Sequence, residues 1–168
     1  IEAKLSFVFG IDYSKDNIYN RIRGACARYV RLKSRNKSMP GALFIQGNSS
    51  LNIRDGDACF SEKGKQIVKA LDGSIAKDEE LLGKGVYKRF GIAKNGYNLV
   101  SNQFSTHYFF ENRNTFYNFV RNLSENCKIG GHIMGTCYDG KRVFNMLERK
   151  KEGESVFIMN ENNTKMWD

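Results

Sequence analysis

Tyr97-Asn98-Leu99-Val100-Ser101-Asn102-Gln103-Phe104-Ser105-Thr106-His107-Tyr108-Phe109-Phe110-Glu111 is the stretch on which the fold turns. Tyr97 to Ser101 is short and apolar enough to be a strand bounded by polar residues. From Gln103 onward a glutamine, a histidine and four aromatic rings crowd its carboxyl end. Ligands of α/β sheets bind outside the carboxyl ends of strands, so this junction is at once a fold signal and a candidate site.

The flanking sequence repeats the same syntax. Leu5-Ser6-Phe7-Val8-Phe9-Gly10-Ile11 reads as a strand buried on both faces that ends at Asp12. Ser14 can cap a following helix through Asn17 and Ile18, Gly24 allows a break, and Ala25 to Val30 continues helical structure toward Lys37. Pro40-Gly41 punctuates the chain before a second strand, Ala42 to Gly47, which ends at Asn48-Ser49-Ser50. Residues 51–95 read as an irregular insertion with one helix, Glu62 to Leu71. Thr115 to Asn126 has Phe116, Phe119, Val120 and Leu123 on one helical face, and Gly130-Gly131 ends that unit. A strand from His132 to Cys137 and a helix from Lys141 to Lys151 follow, the latter with Arg149, Lys150 and Lys151 placed to suit its C-terminal dipole. A short strand at Val156 to Met159 closes the pattern. Alternating strands and helices predict an α/β fold with a doubly wound sheet, in one domain over residues 1–168.

Composition narrows the function classes. Of the 168 residues 40% are hydrophobic and 27% charged, which excludes a disordered tail as a description of the whole. A net charge of +9 fits either a polyanionic partner or a solvated basic surface, and Arg21, Arg23, Arg28, Arg31, Lys33, Arg35 and Lys37 are the residues that could track RNA or a triphosphate. Cys26, Cys59, Cys127 and Cys137 have no close pairing, so zinc-ribbon and redox Cys-x-x-Cys chemistry are unsupported and no metal is expected. No apolar run reaches the roughly 18 residues of a membrane helix, and the expected setting is a cytoplasm-like compartment. Gly83-Lys84-Gly85 lacks phosphate-loop spacing, and nothing marks a lysine nucleophile for guanylyl transfer.

Phe9-Gly10-Ile11-Asp12, Phe44-Ile45-Gln46-Gly47-Asn48-Ser49-Ser50, the Gln103-Phe104, His107-Tyr108 and Phe110-Glu111 pairs, Gly130-Gly131 and Gly135-Thr136 together resemble the mRNA cap guanine-N7 methyltransferase family. The likeness is strongest to the methyltransferase part of capping enzymes from large DNA viruses. It implies a Rossmann-like class I methyltransferase fold with S-adenosylmethionine as cofactor. By that likeness Asp12 would meet the cofactor's ribose, Asn48 and Ser49 its adenine, and Gln103 its methionine end. Phe104, His107 and Tyr108 would line the pocket for the cap guanine. The implied partners are the capped mRNA 5′ end and other capping domains in the same polypeptide, with no membrane. No acid or base is required, because guanine N7 already presents a lone pair. A second reading is a noncatalytic RNA-binding or stimulatory capping subunit with the same fold. Asp12 as a helix-entry acid and His107 as a packed core residue are the bland alternatives.

Three departures from the family pattern are visible. Asn48 stands where an acid is usual, and Tyr138 stands where a proline usually follows the Gly-Thr strand. The glycine-rich first strand expected ahead of the Asp12 strand is not found before Ile1. A domain incomplete at both ends is therefore expected, with a gap between the Asp12 and Gln103 strands and weak or no cofactor binding by the chain alone.

Overall fold

A computed structural model describes residues 5–167. Its first unit is the βαβ crossover anticipated above: β1 (Phe7–Asp12), α1 (Lys15–Tyr19), α2 (Ala25–Arg35) and β2 (Gly41–Gln46). The two strands run parallel and in unbroken register from Phe7 opposite Gly41 to Asp12 opposite Gln46. Ser14 accepts a hydrogen bond from the Asn17 amide at 3.3 Å, the cap its position predicts. Tyr29 ties α2 back to β2 by donating to the Pro40 carbonyl at 2.9 Å and setting its ring edge-on to Phe44.

Residues 51–95 supply most of the core. The expected helix is present as α3 (Glu62–Asp72), and two short helices that periodicity did not announce follow it, α4 (Glu79–Leu82) and α5 (Lys84–Tyr87). Ala70, Leu82 and Val86 form a buried cluster, with Leu43 of β2 and Ile67, Ile75 and Phe90 packed against it. Of the ten buried apolar residues among those described, seven fall between Ala58 and Ala93. Burial of this kind contributes about 1.5–3 kcal/mol for each large side chain, so this segment is where the described chain gains most of its hydrophobic stabilisation.

The second parallel pair is β3 (Tyr97–Gln103) with β4 (Cys127–Thr136), connected through a 3-10 helix (Thr106–Phe110) and α6 (Arg113–Asn126). Gly130-Gly131 does not end the helix as expected. The pairing jumps from Tyr97 opposite Cys127 to Leu99 opposite His132, so the two glycines lie in a bulge inside β4, with Gly130 at φ +77°. That backbone suits glycine, which has no Cβ to clash there. Helix α7 (Gly140–Leu147) stops before Arg149, so the three basic residues lie beyond it and not in its last turn. Strands β5 (Ile158–Met159) and β6 (Lys165–Trp167) form an antiparallel pair.

The architecture is thus mixed α/β with small parallel sheets, and β1 and β3 are not joined in one sheet, in keeping with the gap expected between the Asp12 and Gln103 strands. Strands β1 and β3 each have one hydrogen-bonded neighbour among the described residues, and three two-stranded sheets result. Contact between the parallel pairs is made by side chains, where the Phe9 and Tyr97 rings stack at 6.4 Å with 6° between their planes. The expectation that β1 is buried on both faces fails, since all six of its residues are half-buried. The physical reason is that a strand with one free edge stays partly open to solvent along that edge.

Helix α6 is turned differently from its apolar pattern. Phe116 and Val120 are exposed, whereas Asn122 is buried and Asn118 and Glu125 are half-buried. The inward face carries polar groups because it meets a loop, 49–54, whose backbone needs hydrogen-bond partners.

Candidate functional site

The carboxyl end of β3 is built from the inside out. Phe109 is buried and stacks on Phe119 of α6 with centroids 4.3 Å apart, while Thr115 donates to the Phe109 carbonyl at 2.9 Å. Asn112 caps α6 through the Asn114 and Thr115 amides, both at 3.0 Å. With Phe109 anchored inward, its neighbours His107 and Tyr108 are turned out to solvent and their rings meet at 4.1 Å. His107 is therefore no core residue.

Phe104 sits at the mouth of this turn with φ +49°, the left-handed region that a bulky residue rarely enters. Its amide donates to the Thr136 carbonyl at 2.9 Å, which holds the unusual backbone in place, and its ring is 56% exposed. Tyr138, just past β4, comes within 5.8 Å of the Phe104 ring and 5.1 Å of the His107 ring. Gln103 accepts from the Thr136 hydroxyl and donates to the Ser101 hydroxyl, both at 2.8 Å, so its amide is fixed in both hydrogen-bonding senses. Gln103, Phe104, His107 and Tyr108 are thus brought together, and Tyr138 joins them. Its signal in the sequence was a tyrosine where the family pattern has proline.

Asp12, Asn48 and Ser49 lie together at the matching ends of β1 and β2. One carboxylate oxygen of Asp12 accepts from the Ser14 amide at 2.7 Å, and the Asn17 side chain donates to both oxygens at 3.2 Å. Asp12 therefore does serve the entry to α1, as its bland alternative has it, and as a half-buried carboxylate with about four lone-pair sites it keeps acceptor capacity to spare. Asn48 folds its side-chain oxygen back onto the Ser50 amide at 2.9 Å, and its own amide donates to the Ala58 carbonyl at 2.7 Å.

Sequence reasoning missed the residues that hold this loop to the other half of the site. Asn122 donates to the Ser49 and Leu51 carbonyls at 2.9 and 2.8 Å and accepts from the Ile53 amide at 2.9 Å. Asn118 donates to the Ser50 carbonyl at 2.9 Å, and Asn52 donates to Glu125 at 2.8 Å. Arg54 reaches the Glu125 carbonyl at 2.8 Å and pairs with Asp72. Burial by itself would raise the Glu125 pKa, but hydrogen bonds from Asn52 and Arg121, with the charges of Arg121 and Arg54, outweigh it and hold the carboxyl below its ordinary value. Helix α6 thereby couples the loop after β2 to the segment after β3. A helical asparagine reads as surface in a sequence, so no periodicity signal could have found Asn122.

Among the described residues no helix is long and apolar enough to cross a membrane, and no cluster of three His, Cys, Asp or Glu side chains could hold a metal ion. All four cysteines are free.

No solved structure matches the chain. A probable mRNA-capping enzyme of Acanthamoeba polyphaga mimivirus is 26% identical over 163 residues, which is 97% of this chain and 13% of that protein. The chain thus spans about an eighth of the length of the curated relative it matches. The mRNA (guanine-N(7))-methyltransferase domain family, whose methyl donor is S-adenosylmethionine, matches residues 64–165. That range runs from within α3 to the start of β6, with Gln103, Phe104, His107, Tyr108 and Tyr138 inside it and Asp12, Asn48 and Ser49 outside it. Over about three-fifths of its length, including the whole of the aromatic site, the chain belongs to the mRNA (guanine-N(7))-methyltransferase domain family.

Proposed function

We propose that this chain is the central part of a Rossmann-like class I methyltransferase domain that transfers a methyl group from S-adenosylmethionine to N7 of the mRNA cap guanine, within a larger capping polypeptide. The observation that carries the proposal is Phe104. A phenylalanine in left-handed backbone, exposed and beside Tyr138, whose ring in turn meets His107, is costly for folding and suits a planar ligand.

The residues fit the cofactor. Asp12 keeps lone pairs for the two ribose hydroxyls beyond those used by Ser14 and Asn17. Asn48 and Ser49, on a loop clamped by Asn122, would meet the adenine edge, and Gln103 the methionine end. When bound, the cofactor supplies an electrophilic methyl group on a sulfonium. The chain's own part is positioning. Phe104, Tyr108 and Tyr138 offer aromatic faces that stack on the guanine and favour the positive charge it gains, and His107 is placed to hydrogen-bond its edge. Because N7 carries no proton, no base has to act. Holding the base in line and excluding water can offset about 7–11 kcal/mol of barrier. The free edges of β1 and β3, across which the Phe9 and Tyr97 rings stack, fit a strand lying between them in the complete domain.

The test is methyl transfer by the complete polypeptide to capped RNA and to the same RNA bearing a 5′ triphosphate. Cap-dependent transfer that falls at least about fivefold in kcat/KM with Phe104→Ala supports the proposal, since stacking on one ring contributes about 1–3 kcal/mol. Equal transfer to both RNAs, or cap binding without turnover, contradicts it.

A further inference from the structure

Residues 15–37 hold eight of the chain's 27 Lys and Arg and one of its 18 Asp and Glu, so this one segment carries +7 of the net +9. The single acid, Asp16, is paired with Arg23 at 2.8 Å, and no other basic residue of the segment has an acidic partner among the described residues. Arg28, Arg31 and Arg35 recur at intervals of three and four and are exposed, placing them on one side of α2.

Helix stability does not explain this pattern. Basic residues near the C-terminal end of α2 suit its dipole, but Arg21 and Arg23 precede its N-terminal end, where a cation is disfavoured. No acidic residue occupies the first turn, and Gly24 makes no side-chain cap. The surface is also concave. A shallow depression between α1 and α2 is lined by Tyr19, Arg21, Ala27, Val30, Arg31 and Ser34. Tyr19 is half exposed and Val30 is exposed. Apolar and aromatic faces set among guanidinium groups that have no acidic partner are what a single-stranded nucleic acid needs: bases stack on the former and phosphates meet the latter.

We infer that the α1–α2 face is a second, cap-independent contact for single-stranded RNA, with a base against Tyr19 and Val30 and the backbone crossing Arg21, Arg28 and Arg35. It would hold RNA beyond the cap, and it stands on different residues from the β3 site, so either assignment can fail without the other.

The test is fluorescence anisotropy of the complete polypeptide with a short labelled oligouridylate, uncapped and capped, over a salt series, alongside the cap dinucleotide and oligoglutamate. The triple variant Arg21→Gln, Arg28→Gln, Arg35→Gln should weaken oligouridylate binding at least about tenfold and lower the slope of log K against log salt by about 2, for three lost phosphate contacts at about 0.7 each on a single strand. The loss should be the same with and without the cap, and the cap dinucleotide should bind unchanged. Tyr19→Ala should cost at least about fivefold with the salt slope unaltered. Both variants change exposed or half-exposed side chains, and a far-ultraviolet spectrum matching wild type verifies the fold. Unchanged affinity and slope in the triple variant would overturn the inference. So would an equal loss for the cap dinucleotide, or oligoglutamate binding as tightly as RNA and sharing its losses, which would make the face a dock for an acidic protein.

Discussion

Replacing Asn122 by alanine removes three hydrogen bonds at once. The side chain is 6% exposed and serves the carbonyls of Ser49 and Leu51 and the amide of Ile53, on a loop about 70 residues away in sequence. A net contribution of about 1 kcal/mol per bond gives a loss of about 3 kcal/mol, or about two orders of magnitude in the unfolding constant. Asn122→Asp should be worse than alanine near neutral pH. It keeps an acceptor for Ile53 but faces two carbonyl oxygens with a carboxylate, and a buried charge without a partner is strongly unfavourable. Asn118→Ala, which gives up one bond at a half-buried position, should cost about 1 kcal/mol. Urea titration followed by circular dichroism measures all three, with an unchanged m-value certifying that the unfolded state is comparable. A loss below about 0.5 kcal/mol for Asn122→Ala would refute the reasoning, because it would mean that the loop holds its conformation without the clamp.

Phe104→Gly should relieve left-handed backbone by about 1 kcal/mol while removing a ring that is mostly exposed, so the melting temperature should hold or rise as cap affinity falls. A variant that loses both stability and affinity would mean that the ring is packed for the fold. Gly135→Ala should destabilise the chain by more than about 1 kcal/mol, since its Cβ would sit 2.5 Å from the Asn102 carbonyl oxygen in the neighbouring strand; a neutral result in urea would show that β3 and β4 can separate to admit it. The lowered pKa of Glu125 makes its stabilising contribution complete above the ordinary glutamate range and lost as pH falls through the folded value. Stability measured from neutral to acid pH should therefore drop less steeply for Glu125→Gln than for wild type, and parallel curves would refute the coupling.

The strand and helix order was legible because short apolar runs ending in polar residues and a helix cap at Ser14 are local signals. So was the grouping after β3, since Gln103, Phe104, His107 and Tyr108 are close in sequence and a short turn keeps them close in space. What escaped depends on distant partners. Helix α6 was expected to bury Phe116 and Val120, but the loop after β2 offered unpaired backbone groups and the helix answered with Asn118 and Asn122. Helices α4 and α5 have four residues each, too few for periodicity to register. The two glycines after α6 read as a stop, whereas pairing with β3 makes them a bulge.

The most direct measurement is a crystal structure of the complete polypeptide with a cap dinucleotide and the demethylated cofactor. The guanine should lie in stacking contact with Phe104 or Tyr138, within hydrogen-bonding reach of His107, with N7 turned toward the ligand bound at Gln103. A guanine bound elsewhere, with those rings still facing open solvent, would contradict the assignment of this site.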